Sequence, residues 1–188
     1  MLYFRPLWGE VCVKIDLSRI ETEPVSFAET MSFDNARLDP NRVIGSMDVR
    51  LEGKVRPLDD HYLVDGRTSA GGQLGCGRCL EPVNWQMEST FDLEVALAEK
   101  APLDAELSLD EADLDIVFLE KPVLDLEDLA IEQVLLEMPI RVLCSEECAG
   151  LCPQCGANRN ESDACQCKTE VDPRWAALKD LAGQDPVD

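Results

Sequence analysis

Basic side chains, histidine and long apolar runs are all scarce in this sequence. Its 188 residues include 17 Lys and Arg against 38 Asp and Glu, which gives a net charge of −21. Nucleic-acid-binding proteins gain most of their affinity from Lys and Arg contacts with phosphates, so this charge argues against a general RNA- or DNA-binding protein. It favours basic proteins as partners, because complementary charge steers association.

Patterns typical of catalysis are also absent. His61 is the only histidine, so a Ser/His/Asp or Cys/His arrangement would need it, and no nucleophile turn lies near it. Gly71 and Gly72 lack the Lys-Ser/Thr pair and the following helix of a phosphate-binding loop. We therefore expect no enzymatic activity and no small-molecule substrate.

No apolar run approaches the roughly 18 residues that a membrane-spanning helix needs. The residues before Glu10 are too few for the three regions of a signal peptide. We therefore expect a cytoplasmic protein without membrane association. In a reducing cytosol, paired cysteines are more often metal ligands or redox centres than disulfides, and this chain has nine cysteines.

Alternating apolar and polar residues predict strands in the first half of the chain. Met47, Val49 and Leu51 share one face of the clearest of these, residues 43–55, with the period of a half-buried strand. Short turns separate the strands, which predicts an antiparallel meander. The other predicted strands are residues 11–17, 61–74, 83–97 and 116–119.

An acidic segment and a helix follow these strands. Residues 99–115 have few large apolar side chains and are predicted to form a solvated acidic loop. A helix is predicted over residues 125–138, because Asp125 is a suitable N-cap and Pro139 ends it. A short closing helix is predicted within residues 172–183.

These elements predict an α+β fold with an antiparallel β-meander sheet or partial barrel and one main helix. Its β-rich core spans residues 1–143 and includes the acidic loop and the helix. Residues 144–188 hold six of the nine cysteines but too few apolar residues for a core. We predict that they form a cysteine-rich zinc-binding segment packed on the core, because metal binding can supply the folding free energy that a small core lacks.

The spacing of the cysteines is the strongest signal in the sequence. Two thiolates separated by two residues can bind one tetrahedral ion, and Cys152-Pro-Gln-Cys155-Gly156 has the form of a zinc knuckle. Eight cysteines are predicted to form two four-thiolate sites, and Cys12 remains as a strand residue. One site is Cys152, Cys155, Cys165 and Cys167, and the other, which would tie the helix to the sheet, is Cys76, Cys79, Cys144 and Cys148.

Other interpretations of these cysteines stay open. A crossed arrangement, as in a zinc ribbon, would combine Cys76 and Cys79 with Cys152 and Cys155. Four thiolates also accept an iron–sulfur cluster, a Cys-x-x-Cys turn can be redox-active, and cysteines can be free. Four protein ligands leave no position for water, so we favour structural zinc, one or two ions, over catalysis.

A small basic stripe is the one feature that favours RNA. Arg50, Lys54 and Arg56 can share one strand face, with Tyr62 or Trp85 available for stacking. The alternative is a charge-balanced strand face. The sequence therefore leaves room for only a limited contact with RNA.

Four motifs, taken in order, resemble the YceD family. They are Cys-Gly-Arg-Cys-Leu-Glu-Pro-Val at 76–83, a helix from Asp125-Leu126 to Leu-Leu-Glu-Met-Pro at 135–139, Gly-Leu-Cys-Pro-Gln-Cys-Gly-Ala-Asn at 150–158, and Asp-Pro-Arg-Trp-Ala-Ala-Leu-Lys at 172–179. The resemblance implies a factor required for accumulation of 23S ribosomal RNA, in large-subunit biogenesis, with the cysteine pairs as metal ligands. The expected partner is a basic ribosomal protein or a pre-50S particle.

Overall fold

Seven strands, one α-helix and a short 3-10 turn at Leu17–Arg19 make up the regular elements of the described residues. The structure, a computed structural model, describes residues 14–59, 61–98, 116–161, 165–167 and 174. Predictions for residues 11–13, for the acidic loop at 99–115 and, apart from Arg174, for the closing helix fall outside them. The elements are β1 (Lys14–Asp16), β2 (Val25–Asp34), β3 (Val43–Pro57), β4 (Tyr62–Gly75), β5 (Pro82–Leu97), β6 (Ile116–Leu119), β7 (Val123–Asp125) and α1 (Leu126–Glu137).

A five-stranded sheet in the order β2-β3-β4-β5-β6 dominates the fold. Strands β3 to β5 form the predicted antiparallel meander, and β2, which is not predicted, extends it by pairing antiparallel with β3. Strand β6 differs, because it joins β5 in parallel, with Glu94 opposite Ile116. Strands β1 and β7 pair antiparallel in a separate ribbon. The sheet is thus mostly antiparallel but mixed, and it forms a half-barrel with one main helix.

Two strands were not predicted from alternation, and one predicted strand ends one residue earlier than expected. Strand β2 is not predicted because Glu29, half-buried, interrupts the apolar series that Phe27 and Phe33 begin and end. Strand β7 has three residues, too few for a period to show. Strand β1 ends at Asp16, because the Asp16 carboxylate accepts a hydrogen bond from Ser18 N–H at 3.1 Å and caps a 3-10 turn.

A row of two phenylalanines and two glycines crosses the inner face of the sheet. Phe27 pairs with Gly53, Gly53 with Gly66, and Gly66 with Phe91. A Cβ on Gly53 would lie 2.4 Å from the Asp65 carbonyl oxygen and 2.7 Å from the Phe27 ring. The strands therefore approach more closely here than any side chain allows, and glycine permits the curl of the half-barrel.

Helix α1 packs against the inner face of this sheet and closes the core. Asp125 caps the helix, as predicted, with its carboxylate accepting from Glu127 N–H at 3.0 Å. Lys14 reaches the same carboxyl group at 2.9 Å. Within the described residues, no helix is both long and apolar enough to cross a membrane. The buried residues of α1 are Leu126, Leu129, Ala130, Gln133 and Val134.

Replacement of Asp125 by alanine should lower the free energy of unfolding by about 1 kcal/mol at neutral pH, the usual value of an N-cap. Burial acts to raise the pKa of Asp125, but the bonds from Lys14 and from the Glu127 and Asp128 N–H groups hold it below its ordinary value. The stabilisation is therefore present at neutral pH and is lost as pH falls through the folded-state pKa. Urea unfolding of both proteins at matched metal content measures it, and equal stability at neutral pH would contradict it.

Candidate metal centres

The first group of cysteines, the sheet site, joins the β4–β5 turn to the segment after α1. The Cys76–Cys79 turn follows β4 directly, and Leu80 N–H donates to the Cys76 carbonyl at 2.9 Å. Gly77 N–H donates to the Val142 carbonyl at 2.8 Å, which brings the chain after α1 alongside the turn. Cys144 and Cys148 follow on that segment. The four residues thus come from two regions of the chain that only the folded sheet brings together.

The sulfur geometry of the sheet site fits one tetrahedral ion. Cys76 Sγ lies 3.8 Å from Cys148 Sγ, and Cys79 Sγ lies 3.6 Å from Cys144 Sγ. All four sulfurs lie within 4.8 Å of one another. Zinc–thiolate bonds of about 2.3 Å in a tetrahedron place sulfurs about 3.8 Å apart. The donor set therefore matches zinc in number, element and spacing.

Backbone donors prepare the sheet site for at least one thiolate. Burial raises the pKa of Cys76, but N–H groups of Cys79, Arg78 and Cys144 outweigh it and bring the pKa to about 6. The Glu81 N–H lowers the pKa of Cys79, yet burial and the neighbouring sulfurs raise it to about 12. Four thiols this close cannot all ionise unless a cation compensates their charge.

The second group, the local site, lies within 16 residues of sequence. Gly156 N–H donates to the Cys152 carbonyl, and Cys152 N–H donates to the Ala157 carbonyl, both at 2.8 Å. The sulfurs of this group also lie within 4.8 Å of one another. N–H groups of Cys155 and Gln154 lower the pKa of Cys152 to about 6. Only Cys152 of the four is buried; the ligand set is Cys152, Cys155, Cys165 and Cys167.

Arg78 and Asn160 join the two sites. The Arg78 guanidinium donates to the carbonyls of Glu146 and Cys148 at 3.1 and 2.9 Å, and its own carbonyl accepts from Leu151 N–H at 3.0 Å. Asn160 Nδ2 donates to Cys148 Sγ at 3.4 Å, the leading cause of a lowered pKa at Cys148. The chain around the local site therefore supports a ligand of the sheet site.

Gly150, two residues before the first ligand of the local site, packs against Arg78 of the sheet-site turn. Its φ is +71°, and a Cβ there would lie 3.0 Å from the Arg78 carbonyl oxygen. Gly150→Ala should destabilise the contact and lower the zinc affinity of the sheet site about tenfold or more, as changes that disturb the support of a ligand do. Competition with a chromophoric chelator measures it.

Gly156→Ala is the matched control. Gly156 also has a positive φ, +75°, but no atom lies within 4 Å of the added Cβ. It carries only the conformational cost of an alanine in the left-handed region, about 1 kcal/mol. Equal zinc affinities in the sheet site of the two variants would contradict a role for the Gly150 contact.

The structure brings the eight cysteines together in the predicted grouping. The crossed arrangement of Cys76 and Cys79 with Cys152 and Cys155 is not the one that the described residues form. Binding of metal by these groups stays a prediction, and Cys12 lies outside the described residues. The supporting roles of Arg78 and Asn160 are not predicted from the sequence. Arg78 contacts residues 68 and 70 positions away and Asn160 contacts Cys148 12 positions away, so neither role follows from the spacing within a motif.

Two of the three residues of the basic stripe, Arg50 and Arg56, form ion pairs with neighbouring carboxylates. Arg50 forms an ion pair with Glu52 at 2.9 Å, and Arg56 forms one with Asp65 at 2.6 Å. Arg67, one strand over, pairs with Glu88 at 3.1 Å. The strand face is therefore charge-balanced at these positions, which weakens the case for an RNA contact there.

The fold and these groups define a β-half-barrel protein with two candidate four-thiolate metal centres. Residues 64–182 match the family described as "Large ribosomal RNA subunit accumulation protein YceD". The chain belongs to the YceD family.

Three curated relatives are similar to this chain, and one of them carries the family name. The uncharacterized protein Rv2926c of Mycobacterium tuberculosis is 32% identical over 71% of this chain and 61% of its own length, so the chain spans about three fifths of that relative. The uncharacterized protein YlbN of Bacillus subtilis is 29% identical over 88% of this chain and 87% of its own. A chloroplastic protein of Zea mays (maize) is named "Large ribosomal RNA subunit accumulation protein YCED homolog 1". It is 30% identical over 67% of this chain and 48% of its own length. No solved structure gives a significant match.

Proposed function

We propose that this protein is a non-enzymatic, cytoplasmic factor in biogenesis of the large ribosomal subunit. It supports accumulation of 23S rRNA by binding a basic ribosomal protein or a pre-50S particle. Membership of the YceD family and the name of the maize relative support the ribosomal role. The mechanism rests on the charge of the chain and on its candidate metal centres.

Several arginines form ion pairs or hydrogen bonds within the protein itself, and this observation supports the choice of a basic partner. Arg37 pairs with Glu127 at 2.7 Å, and Arg42 donates to the Pro139 carbonyl. Arg78 donates to two carbonyl groups, and the strand arginines pair with carboxylates. Since the chain has a net charge of −21, this pairing leaves a large excess of carboxylates. Such a surface attracts a basic protein and repels phosphate.

Zinc in both centres is the second part of the proposal. The Sγ–Sγ distances in the sheet site match a tetrathiolate zinc centre, and N–H donors stabilise Cys76 and Cys152 as thiolates. Bound zinc would act as a cross-link and would leave no coordination position for a substrate. In the sheet site the cysteines would hold the chain after α1 against the β4–β5 turn.

Depletion of the protein in cells tests the function. We expect loss of 23S rRNA relative to 16S rRNA, and we expect the tagged, zinc-loaded protein to recover large-subunit proteins after RNase treatment. A protein that recovers neither a ribosomal protein nor a pre-50S particle would contradict the proposal. Recovery that RNase abolishes would favour an RNA contact instead of a protein contact.

A further inference from the structure

Leu80 has a backbone conformation that leucine rarely adopts. Its φ is +66°, and among the described non-glycine residues it alone has a positive φ. The equivalent position of the other knuckle, directly after the second cysteine, is Gly156, with φ +75°. Glycine adopts this conformation without strain, whereas a leucine pays for contact between its Cβ and the backbone. The Cys76–Cys79 turn is therefore followed by a leucine at the position where, after the Cys152–Cys155 turn, glycine is sufficient.

Packing within the described residues does not account for this leucine. The Leu80 side chain is 66% exposed, so it contributes little to the core. A strained, exposed apolar residue that the fold does not need is a reason to look for a binding role. Leu136 and Ile140 are the only other large apolar residues of the described part that are this exposed, at 73% and 97%.

Leu80 and Ile140 lie in segments that contact each other at one end of the sheet, which we call the knuckle end, and Leu136 lies one helical turn earlier in the chain than Ile140. Strand β4 ends there at Gly75, and Leu80 follows in the Cys76–Cys79 turn. Leu136 lies in the last turn of α1. Ile140 follows between Pro139, whose carbonyl accepts from Arg42, and Val142, whose carbonyl accepts from Gly77 N–H at 2.8 Å.

Exposed carboxylates accompany these apolar side chains. Glu81 follows Leu80 directly, and Glu132 lies one helical turn before Leu136. Glu146 and Glu147, also exposed, lie between the two later ligands of the sheet site. Of the cations nearby, Arg78 and Arg42 are bound to carbonyl groups, and Arg141 lies over Gly77. The knuckle end is thus apolar with a mainly acidic border.

We propose that the knuckle end, with Leu80, Leu136 and Ile140 as anchors, is the docking surface for a basic protein segment that carries apolar side chains. The inference rests on the proposed function and names the part of the chain that would bind its partner. Apolar anchors supply most of the affinity in such interfaces, and charge complementarity sets orientation and association rate. The strain at Leu80 is then the cost of presenting an anchor from a rigid, metal-tied turn.

Binding of proteins extracted from purified large ribosomal subunits to the immobilised, zinc-loaded full chain tests this surface. We expect Leu80→Gly and Leu136→Ser each to reduce recovery about tenfold, which corresponds to about 1.4 kcal/mol. Leu58→Ser is the matched control, because Leu58 is 47% exposed in the β3–β4 turn at the opposite end of the sheet. It should bind like the unchanged protein.

Leu80→Gly should keep both zinc ions and melt within a few degrees of the unchanged protein, because relief of strain offsets the added freedom of glycine in the unfolded chain. Equal binding by all three variants would overturn the docking surface and leave the proposed function standing. No binding by the unchanged protein would overturn both. A large fall in the melting temperature of Leu80→Gly would mean that Leu80 packs against the chain itself, and would also overturn the proposal.

Discussion

Cys144→Ser should destabilise the whole fold, whereas Cys165→Ser should not. Each variant should lose one of two zinc ions. The sheet site closes a long loop, since Cys79 and Cys144 are 65 residues apart, and a cross-link over such a loop is worth about 4 kcal/mol in the chain-entropy model. At about 2–4 °C per kcal/mol, Cys144→Ser should melt about 10 °C lower. Calorimetry of both zinc-loaded variants measures the difference.

The pair is matched because both cysteines are exposed, so neither serine has to be buried. In Cys165→Ser the loss is confined to the chain around the local site, and the sheet should melt within a few degrees of the unchanged protein. Similar melting temperatures for the two variants would contradict the assignment of the sheet site as the cross-link between the β4–β5 turn and the chain after α1.

Gly66→Ala should be, with Gly53→Ala, one of the two most damaging single methyl additions in the sheet. The added Cβ would lie 2.5 Å from the Glu52 carbonyl oxygen, 2.7 Å from the Phe91 ring and 3.1 Å from the Gly53 Cα. Two of these neighbours are backbone atoms of the adjacent strand, so they cannot rotate away as a flexible side chain can. Overpacking of this kind costs up to about 3 kcal/mol, and occasionally more, and urea unfolding measures it.

Gly71→Ala is the control for this prediction, because it lies in the same strand and its Cβ would meet only the Gln86 side chain at 3.7 Å. The added methyl should cost little there, and the lower unfolded-state entropy of alanine acts in the opposite direction. Equal destabilisation by Gly66→Ala and Gly71→Ala would show that the close approach of β3 and β4 is not what the glycine pair permits.

Local signals predicted much of the fold and of the candidate site. Alternation identified the strands from Val43 to Leu97, because each has one buried face of regular period. Asp125 and Pro139 located α1, since caps and proline act on the nearest turn of chain. The cysteine pairs themselves, though not their division between two sites, were recognised from their spacing. Each of these features depends on residues that are near one another along the chain.

Long-range features could not be predicted in this way. The parallel pairing of β6 with β5 is a contact between strands that the residues of β6 alone do not signal. The closeness of Gly53 and Gly66 is visible only once the register of β3 and β4 is known. Asn160 donates a hydrogen bond to Cys148 Sγ from 12 residues further along the chain, a contact that the spacing of the cysteines does not reveal. The strain at Leu80 appears only as a backbone angle.

Native mass spectrometry of the purified, folded chain tests the central claim, that two four-thiolate centres bind structural zinc. We expect two zinc ions per chain, with the folded form lost as chelation removes them, because zinc binding and folding are coupled in such sites. A chain that stays folded without any metal would contradict the account. So would a brown protein that contains iron and inorganic sulfide in place of zinc.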